Sequence, residues 1–419
     1  MPAISEKTPE RAAIDGGDPV RTRPLPTGFF GTRLIGEEEK AEVLAALEGR
    51  ALARFSGMTP PSRVATFERE LCRRLGCRYA VAVTSGTAAL EVALVALGIG
   101  PGDEVIMPAL NFISSPEAVL RLGAIPVYAE ADDGFGLDPD DAARRITART
   151  RALMPVHVHG AACRIDAVMA VARRHGLRVL ENGAWSCGAR FHGQAIGTFG
   201  DAGIHSLHSV KVITAGEGGV VVTNDPLVYE RAVRYHDHGN FRMPSIPASM
   251  AAPEEGAAIE PSAEPFLGAA FRMPELSGAV ALAQVRKLDT VLQRARRAQR
   301  SILNGLQQIV AGRPRTPFAL RNVPDPEGDC GIAVGALLHD AEQAKSFQTA
   351  LRAEGIAIGL VYGARPVYDA PQLPPVAASP CPWTDALLAR SLMLSVTPDY
   401  TDDDARDVVH AFAKVAARG

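Results

Sequence analysis

Lysine is scarce in this 419-residue chain: 44 residues are Lys or Arg, and only six of those are Lys. Aromatic residues are few as well, at 5% with two tryptophans. An excess of charge of either sign is also missing, since 47 Asp and Glu leave a formal net charge of -3. Nonspecific nucleic-acid binding needs a clustered basic excess to neutralise phosphates, so that class is excluded. No apolar run reaches membrane-spanning length. The opening stretch MPAISEKTPERAAIDGGDPVRTRPLP lacks an apolar leader core and reads as an extended, proline-rich arm, so the expected location is the cytoplasm. The six cysteines contain no CxxC pair, which argues for buried free thiols. In HVH, His157 and His159 would share one face of a strand, but no third ligand stands at useful spacing, so no metal site is expected. HDH, at His236 to His238, reads as a polar loop.

What is present fits an ordinary globular protein, 47% hydrophobic and 22% charged, long enough for two domains. GEEEKAEVLAALEG and RVATFERELCRRLG space their apolar residues as helices and each closes on glycine. From RYAVAV to LRVLE, short apolar strands then alternate with helices, among them GTAALEVALVALG, SSPEAVLRLG and IDAVMAVARRHG. That rhythm predicts an α/β fold with a mostly parallel sheet between helical layers and ligands at the carboxyl strand ends. RALMPVHV is expected to be one of the strands, and GIHSL and GGVVVTN two more. Residues 240–267, rich in Pro, Ala and acid without a period, are expected to form a surface loop, with a lid as the alternative. PELSGAVALAQVRKLDTVLQRARRAQRSILNGLQQI predicts a long helix leading into a C-terminal unit. The expected division is an arm (1–35), a large domain (36–290) and a small C-terminal domain (291–419).

Five of the lysines sit in the arm or in polar helices and read as solvated surface groups. Lys211 differs, flanked by Val210 and Val212 in HSLHSVKVITAGEGGVVVTND. A desolvated lysine there would have a lowered pKa, and its free amine could form a Schiff base with an aldehyde. Pairing with Glu217 or Asp225 is the competing reading. In TSGTAAL, at residues 84–90, a strand turns into a helix whose first N–H groups, with the Thr87 hydroxyl, would cradle a phosphate; an ordinary helix cap has the same sequence. Ser206 could add a hydroxyl. A strand-end acid or amide in VLENGAW, a phosphate cradle and an isolated lysine together suggest pyridoxal 5'-phosphate.

These segments resemble the DegT/StrS family of sugar and cyclitol aminotransferases, nearly end to end. AIDGGDPVR, SGTAALEVALVALGIGPGDEVIMPALNF, MPVHVHG, KVITAGEGGVVVTND, FRMPELSGAVALAQVRKLD and CPWTDALL follow the family pattern in order. The resemblance implies a fold-type I pyridoxal-phosphate architecture and a homodimer whose sites are completed by the neighbouring subunit. It also implies Lys211 as the Schiff-base lysine and proton shuttle, Gly86, Thr87 and Ser206 on the phosphate, and Phe112 stacked on the pyridine ring, where plain core packing is the competing reading. The arm and the ITAGEGG loop are most similar to members acting on keto-inositols and related cyclitols.

Three positions depart from the pattern. Asn182 stands where the family has an Asp facing the pyridine nitrogen, Trp185 where it usually has a Gln near the phenolic oxygen, and Ala270 where it often has an Asn reaching the partner's phosphate. An amide offers only a neutral hydrogen bond, so the bound cofactor is expected to be a weaker electron sink. The resemblance implies amino transfer from an amino acid, glutamate or glutamine, to a keto-sugar or keto-cyclitol in secondary-metabolite (antibiotic) biosynthesis. The departures leave open elimination, dehydration, decarboxylation or racemisation on the same scaffold, or a descendant that binds cofactor without turnover.

Overall fold

Each apolar strand of the N-terminal two-thirds takes its place in one twisted sheet. The computed structural model describes residues 10–28, 30–50, 52–55, 62–241, 264–313, 315–374 and 380–418. Lys7 and most of the segment 240–267 lie outside the described residues, and the lid expectation with them. The elements run α1 (Glu37–Glu48), α2 (Arg63–Leu75), β1 (Tyr79–Val83), α3 (Gly86–Ala96), β2 (Glu104–Pro108), α4 (Ser114–Arg121), β3 (Ile125–Ala129), α5 (Pro139–Arg144) and β4 (Thr150–Leu153). Next come α6 (Ile165–His175), β5 (Arg178–Asn182), the small hairpin β6 (Arg190–Phe191) and β7 (Gln194–Ala195), β8 (Ala202–Ser206), β9 (Gly219–Thr223) and α7 (Pro226–His236). The large sheet has the order β1-β9-β8-β5-β4-β2-β3. Only β9 runs against its neighbours, pairing antiparallel with both β1 and β8.

Strand alternation explains the three layers. In GVVVT, Val220 and Val222 pack into the core that holds α2 and α6, and Val221 into the opposite core that holds α3, α4 and α7. Both faces are apolar because both are covered, as a parallel sheet requires. α2 closes on Gly76, whose φ of +72° is the left-handed geometry that glycine adopts without strain. This is the fold-type I α/β/α arrangement that the resemblance implied.

The long helix α8 (Glu275–Ala311) packs its first half against α1 and α2 and its second half into a separate C-terminal core. Residue 290 therefore lies inside a helix that both units share. Beyond it come β10 (Phe318–Leu320), β11 (Ala333–Leu338), α9 (Ala341–Ala353), β12 (Gly359–Leu360), α10 (Pro382–Ala389), β13 (Ser391–Ser395) and α11 (Asp402–Ala416). Their strands form an antiparallel sheet in the order β10-β11-β13-β12.

Four expectations are corrected. RALMPVHV is an unbroken strand only as far as Leu153: Pro155 has no N–H to donate, and past it the pairing with β5 resumes only as a single parallel bridge between Val156 and Asn182. His157 and His159 therefore do not share a strand face: His157 is buried against Glu181, and His159 sits in a turn with φ +50°. HDH is no polar loop, since His236 is buried at the end of α7 and Asp237 is buried and paired with Arg272. Lys414 is no solvated surface group, but is buried beside Glu354 at 3.0 Å. Lys287 is half-buried, bonded to Glu38, Glu39 and the Leu34 carbonyl. All six cysteines are buried free thiols.

Candidate active site

Gly219 begins β9 and pairs on one side with Val83 of β1 and on the other with Ser206 of β8. The carboxyl ends of β1 and β8 are thereby drawn to either side of one residue. A Cβ on Gly219 would lie 2.3 Å from the Ser85 carbonyl oxygen, so only glycine permits the approach. A Cβ on Gly86 would likewise lie 2.9 Å from Ser206 Cβ. Ser85 caps α3, its hydroxyl accepting from the Ala88 N–H at 3.0 Å. Helix geometry leaves the Gly86 and Thr87 N–H groups at the open end, beside the Ser206 hydroxyl. Both readings of TSGTAAL hold at once: Ser85 is the cap, and Gly86, Thr87 and Ser206 form a concavity with anion-binding polarity.

The loop after β8 folds back on itself, with the Lys211 N–H on the His208 carbonyl at 2.9 Å and the Ala215 N–H on the Leu207 carbonyl at 2.8 Å. Val212 and Ile213 are fully buried and anchor it in the core. The Lys211 side chain turns the other way, and its amine lies 3.2 Å from the centre of the Trp185 ring. Neither expected carboxylate partner is there: Glu217 faces His208 at 3.5 Å, and Asp225 caps α7 through the Leu227 N–H. No carboxylate pairs with Lys211 among the described residues. Burial alone lowers its pKa from 10.5 to about 7, so a large fraction carries a lone pair at neutral pH.

Asn182 ends β5, buried. Its Oδ1 accepts from the Ala184 N–H at 3.1 Å, and its Nδ2 donates to Ser115 Oγ at 2.9 Å. A backbone N–H can only donate, so the amide orientation is determined. The Ser115 hydroxyl in turn donates to Asn111 Oδ1 at 3.0 Å, which also accepts from the Phe112 N–H at 2.8 Å. At the end of this relay, Asn111 Nδ2 is buried without a partner. Phe112 itself is 54% exposed, which removes the core-packing reading.

Sequence reasoning missed the wall that continues from Trp185. The His159 ring lies 4.9 Å from Trp185 and 5.7 Å from Tyr362, a residue of the C-terminal unit. Burial, followed by the charges of Arg321 and Lys211, lowers the His159 pKa to about 3, so the ring is neutral. Tyr362 and His159 both have positive φ, at +44° and +50°. The Tyr362 hydroxyl is buried; Trp185 approaches it without completing a hydrogen bond of standard geometry. Arg321 bridges the units, donating to the Gly134 carbonyl at 2.9 Å and the Val158 carbonyl at 3.0 Å. Nothing local in YG or LRN marks these residues, whereas Asn111 and Ser115 lie in segments already singled out. Ala270 is exposed on the chain surface, in a bridge to Asp237.

A weakly basic buried amine, an anion cradle and an orphaned amide donor on one side of the sheet suit an aldehyde that carries a phosphate, so the residues present fit pyridoxal phosphate. Asn182 fits it as a neutral N–H donor, not as a carboxylate.

Comparison with known proteins agrees. Residues 33–413 match the DegT/DnrJ/EryC1/StrS aminotransferase family. DesI, solved in the presence of its TDP-sugar product, is similar at 28% identity and TM-score 0.78, covering 97% of both chains. DesV of S. venezuelae, in complex with a ketimine intermediate, is similar at 29% identity and TM-score 0.79, covering 95% of this chain and 100% of that one. 3-Amino-5-hydroxybenzoic acid synthase is similar at 26% identity and TM-score 0.79, with the same coverage. The chain belongs to the DegT/DnrJ/EryC1/StrS aminotransferase family.

Proposed function

We propose that this enzyme transfers an amino group from an amino acid, glutamate or glutamine, to a keto-sugar or keto-cyclitol, using pyridoxal phosphate, as a homodimer in secondary-metabolite biosynthesis. The observation that carries this reading is the Lys211 amine, buried, unpaired with any described carboxylate and lowered to about pKa 7, beside the Gly86–Ser206 cradle. When bound, the cofactor supplies an aldehyde for Schiff-base exchange and a conjugated ring that delocalises an electron pair. Lys211 would hold the aldehyde, and its amine, when free, would move a proton. Gly86, Thr87 and Ser206 would hold the phosphate, Phe112 would hold the ring, and Asn182 would offer the ring a neutral N–H donor. Trp185, His159 and Tyr362 wall the amine off from water. The sugar amino-transfer relatives support the acceptor class, and the exposure of Phe112 supports a second subunit at the mouth.

The test uses purified protein reconstituted with pyridoxal phosphate. Borohydride should fix the cofactor's mass on the peptide carrying Lys211, and glutamate or glutamine should convert the bound cofactor to pyridoxamine phosphate. Labelling at another lysine would refute the assignment of Lys211. A second reading, elimination or another non-transaminating reaction, is favoured by the donor orientation of Asn182. It predicts labelling at Lys211 with no conversion by any amino donor.

A further inference from the structure

The arm does more than cover the C-terminal unit. The Ala13 and Val20 N–H groups donate to Glu354 at 2.7 and 3.0 Å. Arg21 pairs with Asp404 at 2.7 Å and Asp407 at 2.8 Å, and Arg33 with Asp399 at 3.0 Å. All these acceptors belong to the C-terminal unit. Between those anchors the arm crosses to the lysine loop. There the Gly31 N–H donates to the Lys211 carbonyl at 3.1 Å, and the Thr32 hydroxyl donates to the Ser209 carbonyl at 2.9 Å. Gly31 is fitted against backbone: a Cβ there would lie 2.8 Å from Ile213 Cα, 2.9 Å from the Thr214 nitrogen and 2.7 Å from Gln284 Oε1.

We propose that Thr32, with the Gly31 backbone, is a positioning residue for Lys211: it holds the 209–211 turn so that the amine stays against Trp185 and away from water. The proposal rests on the reading of Lys211 as the reactive amine. The two tethered carbonyls lie at either end of the turn that sets the Lys211 Cα–Cβ direction. The turn's own other hydrogen bonds are internal to the loop, as from the Lys211 N–H to His208, and past the turn the Thr214 N–H donates to Gln284 Oε1 of α8 at 3.3 Å. The internal bonds preserve the loop's shape but not its orientation against the β5 side of the site, where Trp185 lies. For residues 209–211 the arm supplies that external reference. The titratable groups around the amine are His159 and Arg321 across the wall, and the His208–Glu217 pair on its own loop. A turn released from Thr32 swings the amine toward water, where its charged form is solvated and its proton is held to higher pH.

The test is acetylation of Lys211 as a function of pH in the full chain freed of cofactor, read by peptide mass spectrometry with acetic anhydride as probe. Wild-type Lys211 should show a midpoint near neutrality. Thr32→Val, which keeps the shape and removes the donor, should raise the midpoint by about one unit and speed pyridoxal phosphate release about tenfold. Thr32→Ser should restore the wild-type values, and Thr32→Ala repeats the loss with a different side chain. If Thr32→Val and Thr32→Ala leave both midpoint and release rate at wild-type values, the proposal is overturned while the reading of Lys211 stands. A wild-type midpoint near that of a solvated lysine overturns both.

Discussion

On the proposed reading, a single amide sets how this site would polarise the ring. The Ala184 N–H holds Asn182 Oδ1, so Nδ2 faces Ser115 and presents its other hydrogen as a donor. A donor pairs with an unprotonated ring nitrogen, which withdraws electrons less strongly than a protonated one. Asn182→Asp keeps the Ala184 contact and replaces the Ser115-facing N–H by an acceptor. Ser115 must then turn its hydroxyl to the new carboxylate, and Asn111 Oδ1 keeps the Phe112 N–H as its donor. The variant should fold as the parent does and transaminate at least about tenfold faster, one pKa unit of ring basicity being worth about 1.4 kcal/mol. Single-turnover absorbance with glutamate measures this, and an unchanged rate would remove the electrostatic argument. Lys211 and Asn182 were legible in the chain because a lone lysine between valines and an amide at a strand end are local facts. Tyr362 and Arg321 were not, because their relevance exists only where the C-terminal unit meets the loops at Gly134 and Val158.

At the scale of elements, one of the arm's anchors is a buried charge. Glu354 accepts the Ala13 and Val20 N–H groups and pairs with Lys414, both side chains being almost wholly out of water. Breaking such a pair from one side leaves an uncompensated buried charge. Glu354→Gln should therefore destabilise the protein by about 3 kcal/mol, read as a lower urea midpoint at unchanged slope. Adding Lys414→Met should recover part of the loss, because the stranded ammonium is then gone. A double variant no more stable than Glu354→Gln alone would show that the N–H contacts, not the ion pair, carry the effect. Helix and strand periodicity predicted most elements correctly. It overran at RALMPVHV, where apolar content continued past the proline that interrupts the ladder, and it made Lys414 a surface group because a helix face is polar or buried only with respect to what packs on it.

Across the whole molecule, three histidines are buried in neutral form, and this sets an acid limit. Burial is the largest cause of each low pKa, about 3 for His159 and about 4 for both His205 and His236. Unfolded, each takes up a proton near pH 6.5, and folded, only well below that. The unfolded chain therefore binds more protons between those values, and stability falls as pH drops below about 6.5. By pH 5 the loss is about 2 kcal/mol per histidine. Urea midpoints from pH 7 to pH 5 should show it, and His236→Gln should flatten the slope by about a third. A flat profile in the wild type would mean that these rings are not held neutral.

Taken alone, the sequence determined the layering and set Lys211 apart from the other lysines. Both follow from short-range facts: apolar period, turn-forming glycines, and a lysine with no charged residue beside it. The tertiary structure alone decided what surrounds that amine. Trp185, His159 and Tyr362 come from three separate segments, and the arm reaches the lysine loop across 177 residues of sequence. Burial and hydrogen-bond direction depend on which surfaces meet in space, and linear spacing carries no record of that.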